Sequence, residues 1–252
     1  VGLVSPRPEQ LTVTVLGASG TYPAPATACS GYLLRTASTT VWLDCGSGTL
    51  ANLQRHVPLT DVDGIVCSHS HPDHWLELPL AVNALRYGMH RPDAGVPLYW
   101  TAETAELFNW VSGHPPEPTF RPEVVDESSL VRIGDIDIRF SRTDHPVETL
   151  AVRADAGGRS VAYSSDTGNG WELASLGPGI DVAVVEATLD EADADVVQHL
   201  TARQAGSQAT RAGVAGLVLT HLAPGSDPEA RLAEATAAFD GPVAVARIDE
   251  RY

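Results

Sequence analysis

His69-Ser70-His71-Pro72-Asp73-His74 packs three imidazoles and a carboxylate into six consecutive residues. The run before it, Val62-Asp63-Gly64-Ile65-Val66-Cys67, reads as a buried strand. The run after it, from Trp75 to about Tyr87, reads as a helix whose Leu76, Leu78, Leu80, Ala81, Ala84 and Leu85 form a wide apolar face. The cluster therefore falls where a strand ends, a usual place for a site in an open α/β sheet. Side chains of a strand alternate, so His69 and His71 point to the same side. Asp73 and His74 then turn the other way and can serve a second ion. Neutral imidazoles and carboxylates are good ligands for Zn²⁺ and similar divalent ions.

Outward from this loop the chain is strand-rich. Leu11–Leu16, Gly31–Arg35 and Thr40–Asp44 read as strands, and a helix follows from about Thr49 to His56. Gly17-Ala18-Ser19-Gly20 is a small-residue turn that lacks the glycine pattern of a dinucleotide site. Pro97 within Val96–Trp100 points to a sheet edge. Thr101–Val111 reads as a helix, and the four prolines between His114 and Val125 read as a loop or flap. Ser129–Thr143 alternates around Gly134-Asp135 as a hairpin, and Thr149–Arg153 and Ser160–Tyr163 flank a Gly157-Gly158 turn. Strands at Asp181–Val185, Ala215–Thr220 and within Gly241–Arg247 alternate with helices at Thr201–Ala212 and Asp227–Phe239. Thr201 is placed to cap its helix. Mixed hairpins and strand–helix units suit a layered α/β sandwich. No linker or repeat interrupts it, so residues 1–252 are expected to form one domain.

The 252 residues are 43% apolar, enough for a full core. The formal charge is −16, from 32 acids against 16 bases, and every base is Arg. That balance disfavours a broad nucleic-acid footprint, which needs clustered positive charge. Cys29, Cys45 and Cys67 are scattered and odd in number, as expected of reduced, buried thiols rather than a disulfide framework. No apolar run approaches the roughly 20 residues of a membrane helix. Val1–Gln10 has no signal-peptide core and no initiator Met, so the numbering is expected to start after a trimmed segment. A cytoplasmic location follows from these absences as an expectation.

His69-x-His71-x-Asp73-His74 resembles the signature of the metallo-β-lactamase fold superfamily. Later residues match the order that family requires: His145 in Thr143-Asp144-His145-Pro146, Asp166 in Ser164-Ser165-Asp166-Thr167-Gly168, and His221 in Leu219-Thr220-His221-Leu222. One histidine is usually just a satisfied side chain; seven candidate ligands in family order are not explained that way. The resemblance implies a four-layer αββα sandwich with mixed sheets and two metals at one edge. His69, His71 and His145 would hold the first ion, Asp73, His74 and His221 the second, with Asp166 bridging. Zn²⁺ is the ion it favours, with Mn or Fe as alternatives. Glu186-Ala187-Thr188 and His199 resemble the carboxylate and extra histidine of the ribonuclease Z branch, where the two form a pair that places a proton donor near the leaving oxygen. The opening glycine turn and Cys29-Ser30-Gly31-Tyr32-Leu33 are similar to short bacterial members of that branch, including atypical cyclic-nucleotide phosphodiesterases. Branch members commonly dimerise, although no residue pattern here points to a homodimer.

Two departures narrow the function. Ribonuclease Z enzymes usually carry a tRNA-gripping arm between the third histidine and the bridging aspartate, and the hairpin from His145 to Asp166 leaves no room for one. Asp190-Glu191-Ala192-Asp193-Ala194-Asp195 is expected at the site rim, where it would repel a polyanion. The expected activity is hydrolysis of a small anionic ester, a phosphodiester such as a cyclic nucleotide, by a metal-bridging hydroxide. In that scheme Asp73 orients the nucleophile or takes its proton, and His199, oriented by Glu186, protonates the leaving alkoxide. The alternatives are a tRNA 3′-processing endoribonuclease, and a sulfatase, lactonase or thioesterase of a specialised pathway. Asp44 reads either as an acceptor for a ligand imidazole or as a turn cap. Tyr22, Trp75, Arg86, Tyr87, His90, Trp110 and Arg121 are candidates for a substrate wall. His56 and His114 read as exposed side chains.

Overall fold

A computed structural model describes residues 10–89 and 95–252. Two mixed sheets face each other. The first runs β1 (Thr12–Gly17), β2 (Gly31–Arg35), β3 (Thr40–Leu43), β4 (Gly64–Val66), β5 (Val96–Trp100) and β6 (Phe120–Val124) in that order. It begins as an antiparallel meander and is parallel from β3 onward. The second comprises β7 (Leu130–Ile133), β8 (Ile136–Arg142), β9 (Leu150–Ala156), β10 (Arg159–Tyr163), β11 (Val182–Glu186), β12 (Leu217–Thr220) and β13 (Val243–Val245). Its hairpins lie on one side and its parallel strands, from β10 to β13, on the other.

Strand alternation builds the layers. Tyr32, Leu34, Val41, Leu43 and Val66 of the first sheet meet Ile138, Phe140, Val152, Val161, Tyr163 and Val184 of the second in one core. Leu33, Trp42 and Ile65 point the other way. They pack under α1 (Thr49–Leu53), α2 (Leu78–Asn83) and α3 (Ala102–Ser112) through Leu53, Leu78, Ala81, Val82 and Phe108. On the outer face of the second sheet, Ala162, Ala183, Val185, Leu217 and Leu219 meet α4 (Ala202–Ala212) and α5 (Pro228–Thr236) through Ala202, Ala205, Ala209 and Ala235. The sequence of layers is helix, sheet, sheet, helix, the αββα sandwich expected. Thr201 caps α4 in a full capping box with Gln204.

Three local expectations are corrected. The helix from Trp75 is shorter: Glu77 N–H is taken by the Cys45 carbonyl at 2.9 Å and Pro79 lies in the first turn, so α2 starts only at Leu78. It ends in a π turn over Ala84–Gly88, and Leu76 and Leu80 are left exposed, narrowing the apolar face. The proline-rich segment is not all loop. Thr119 O and Val125 N bond β5, so Pro122 takes an outward position on the edge strand β6, where a missing N–H breaks no ladder bond. Pro97 is not at an edge, since β5 lies between β4 and β6; pairing with β4 starts one residue later, at Leu98 with Ile65. Among the described residues, no helix is long and apolar enough to cross a membrane.

Candidate metal centre

All seven histidines and aspartates expected as ligands converge where the strands of both sheets end. Beyond β4, Ser68 is anchored by Asp44, which accepts from its N–H and its hydroxyl, each at 2.8 Å. The Ser68 hydroxyl in turn faces His69 Nδ1 at 3.0 Å, so it accepts from Nδ1–H and leaves Nε2 turned inward. The Pro72–His74 turn swings the next residues back, and Trp75 Nε1–H ties the loop by donating to Ser70 O at 2.8 Å. Trp75 is thus a buried peg in the helix-side core and not a substrate wall. Gly46 is required beneath this loop: a Cβ there would lie 2.0 Å from the Asp73 carbonyl oxygen.

The remaining ligands come from the second sheet. His145 follows β8; its Nδ1 donates to Gln198 O at 3.1 Å, which turns Nε2 inward to 3.1 Å from His71 Nδ1. Asp166 follows β10, and Thr143 Oγ1–H donates to its carbonyl at 2.8 Å. Asp166 Oδ2 lies 3.6 Å from His69 Nε2 and 4.0 Å from His145 Nε2. Its other oxygen, Oδ1, lies 3.3 Å from His74 Nε2 and 3.4 Å from His221 Nε2. One carboxylate therefore faces two groups: His69, His71 and His145 on one side, and Asp73, His74 and His221 on the other. Thr21 N–H donates to Asp73 Oδ2 at 2.8 Å, and Asp44 Oδ2 accepts from His74 Nδ1 at 2.7 Å. Thr21, Asp44, Ser165 and His221 all hold φ between 52° and 65°, so the chain is in the left-handed region at four points around the centre.

The donor set fits divalent ions. His69 Nε2 and Asp166 Oδ1 are buried without any hydrogen-bond partner, a cost of about 1–3 kcal/mol each unless something else satisfies them. In the second group, Asp73 Oδ2, His74 Nε2 and His221 Nε2 lie 3.2–3.5 Å apart. A tetrahedron with arms of about 2.0–2.1 Å has edges of about 3.3–3.4 Å. Burial raises Asp73 and Asp166, but the imidazoles outweigh it, chiefly His74 for Asp73 and His221 for Asp166, and both carboxyls are held well below the ordinary range. Burial pushes His69 and His145 down, towards the neutral form a ligand needs.

Beside the two groups stands a Glu–His pair. Glu186, fully buried at the end of β11, accepts from Thr167 N–H at 2.7 Å and from His199 Nδ1–H at 2.8 Å through Oε1. Oε2 accepts from Thr188 Oγ1–H at 2.6 Å and from Leu200 N–H at 3.2 Å. Burial lowers the His199 imidazole, but the Glu186 carboxylate more than compensates and raises it to about 9. The His199 ring stacks on His221 at 5.5 Å and sits edge-on to His145 at 5.2 Å.

Other expected residues sort differently. Tyr22 is exposed and directly follows Thr21, whose N–H holds Asp73. Tyr87 and Trp110, 72% and 83% exposed, and Arg121 stand at the surface, and Arg86 bonds Glu117 O and Thr119. His90 lies outside the described residues. His56 is buried, not exposed, with Nε2 2.8 Å from Asp249 Oδ1. His114 is only partly exposed. In the acidic segment, Asp190 pairs with Arg231, Glu191 with Arg203, and Asp195 takes the Gln204 amide. Sequence reading gave no role to Ser68, Thr188 or the Thr21 N–H. Thr188 carries a signal, a hydroxyl two residues past a strand-end Glu; the other two depend on contacts far along the chain.

Residues 39–222 match the family model described as a beta-lactamase superfamily domain. The chain is 36% identical to the Mycobacterium tuberculosis protein named "Uncharacterized protein Rv1339", over 95% of this chain and 91% of that one. It is 30% identical to a ribonuclease Z from Kineococcus radiotolerans, over 93% of this chain and 90% of that one. The crystal structure of the metallo-beta-lactamase fold protein YhfI from Bacillus subtilis superposes with a TM-score of 0.87 at 26% identity, covering 96% of this chain and 99% of that one. With this fold, this match and this His/Asp cluster, the chain belongs to the metallo-β-lactamase superfamily and is a metallo-hydrolase of that fold.

Proposed function

We propose that the chain, as one hydrolase domain, holds two divalent ions, zinc first among them, and hydrolyses a small phosphodiester such as a cyclic nucleotide. The observation that carries this is the Glu186–His199 pair standing against a buried His/Asp cluster whose donor atoms are close enough to hold cations. Ions bound there lower the pKa of water towards about 7 and polarise a phosphoryl oxygen. Asp73, held ionised and fixed by Thr21 N–H, orients the attacking water by accepting a hydrogen bond from it. His199 has its Nδ1–H occupied by Glu186, which directs its Nε2–H at the leaving oxygen.

Charge supports a monoanion. Many arginines are tied to carboxylates away from the centre, such as Arg55 to Asp249, Arg153 to Asp155 and Arg211 to Glu172. Exposed Tyr22, Val196 and Val197 flank Thr21 and Gln198, two residues that touch ligands, and offer an apolar rim to an organic group. The relationship to a ribonuclease Z keeps endonucleolytic cleavage of tRNA precursors as the second reading. Against it stand the −16 charge and the short hairpin between His145 and Asp166.

Replacing His199 with Ala tests the assignment. Turnover of an alkyl phosphodiester should fall by about 10²–10⁴-fold. Bis(4-nitrophenyl) phosphate, whose leaving group needs no proton, should be far less affected, and the ion content should stay unchanged. Loss of an ion in the variant would make His199 a ligand, and equal losses on both substrates would remove the proton-donor role.

A further inference from the structure

Thr188 Oγ1 is buried among four polar atoms and has one proton to give. It lies 2.6 Å from Glu186 Oε2, 2.8 Å from His221 Nδ1, 3.0 Å from His221 O and 3.4 Å from His199 Nδ1. Glu186 is an acceptor on every side, taking Thr167 N–H, Leu200 N–H and His199 Nδ1–H, so the shortest contact receives the hydroxyl proton. The hydroxyl oxygen must then accept at its next shortest contact, and His221 Nδ1 carries a hydrogen. That leaves the lone pair of His221 on Nε2, which faces Asp73 Oδ2 at 3.2 Å, His74 Nε2 at 3.3 Å and Asp166 Oδ1 at 3.4 Å. The ring has little freedom to turn away: a Cβ on Gly20 would lie 2.9 Å from its Nδ1 and 3.1 Å from its Cε1.

We infer that Thr188 is a positioning residue whose single hydroxyl fixes the tautomer of His221 at the second cation position and, through the Glu186 carboxylate, the orientation of His199, so that the two are coupled. The continuous path His199–Glu186–Thr188–His221 is the physical basis. Its first half rests on the proton-donor reading of His199 above; its second half concerns cation binding alone and stands without it.

The test uses the full-length chain with Zn²⁺ as the probe, titrated in competition with a chromophoric chelator, so that it reads affinity and not turnover. Thr188→Val keeps the shape and removes the hydroxyl. It should weaken one of the two Zn²⁺ sites by about 10–100-fold and leave the other unchanged, while Thr188→Ser should return both to within about threefold of the unsubstituted chain. With saturating Zn²⁺, Thr188→Val should also lose rate on alkyl phosphodiesters more than on bis(4-nitrophenyl) phosphate. Wild-type affinity at both sites in Thr188→Val, or equal weakening in the Val and Ser variants, would overturn the inference. Should the Val variant not fold, ¹⁵N NMR of His221 in the Zn²⁺-loaded, unsubstituted chain decides: a protonated Nδ1 supports it and a protonated Nε2 overturns it. A chain that hydrolyses no phosphodiester yet shows the Zn²⁺ effect would sink the proposed function and leave the tautomer assignment standing.

Discussion

Replacing Asp166 with Ala is expected to empty the first cation position, weaken the second and lower turnover by about 10³-fold or more. Its two carboxylate oxygens face the two groups, with Oδ2 towards His69 and His145 and Oδ1 towards His74 and His221. Each position otherwise keeps three ligands, but on the first side all are neutral imidazoles, which cannot offset the charge of a divalent ion. The second side retains Asp73 and would bind more weakly rather than not at all. Dialysis against a weak chelator should therefore leave Asp166→Ala with less than one ion per chain, where the unsubstituted chain keeps two. Asp166→Asn, which preserves shape but not charge, should lose ions almost as completely. If the Ala variant keeps two ions after dialysis, Asp166 is not the shared ligand. Elemental analysis by mass spectrometry reads this without any substrate.

The second large effect is expected at Asp44. Its carboxylate is fully buried and accepts from Ser68 N–H, Ser68 Oγ–H, His74 Nδ1–H and Tyr163 Oη–H, at 2.7–2.9 Å. Asp44→Ala strands these donors in the interior between the sheets and releases a His74 ring that the centre needs in one orientation. Breaking a buried, charge-assisted set of this kind costs about 3–5 kcal/mol, a large share of a stability of about 5–15 kcal/mol. For a chain of this size that corresponds to a fall in Tm of about 10 °C or more. Asp44→Asn, which keeps an acceptor, should recover much of the stability yet bind the second ion about 10–100-fold more weakly. Thermal unfolding with chelator present separates the fold term from the ion term. An Ala variant melting within about 2 °C of the unsubstituted chain would show that water replaces the carboxylate at little cost.

The cluster was legible because its candidate ligands stand where strands end. A strand end is marked locally, by a β-branched run stopping, and His69, His71, His145 and His221 all follow such runs. The layers were legible too, since alternation decides which face of Leu33 or Trp42 is buried. What stayed hidden depends on partners far along the chain. His56 looks like a surface histidine until Asp249 closes on it, and the acidic run around Asp190 looks free until Arg231 and Arg203 reach it. Strand β6 was lost among prolines because local composition cannot show that Pro122 faces outward from an edge. Trp75 resembled a substrate contact because an indole beside a metal loop suits either role; its burial and its hydrogen bond to Ser70 O assign it to the scaffold.

Hydrolysis of a 3′,5′-cyclic nucleotide by the chain loaded with two equivalents of Zn²⁺ or Mn²⁺, run beside a tRNA precursor, is the most direct test of the proposed chemistry. The expected result is conversion to a nucleoside monophosphate that stops with chelator and resumes with added ion, and an uncut precursor. A fully loaded chain that leaves both the cyclic nucleotide and bis(4-nitrophenyl) phosphate intact, or that cuts the precursor instead, would contradict it.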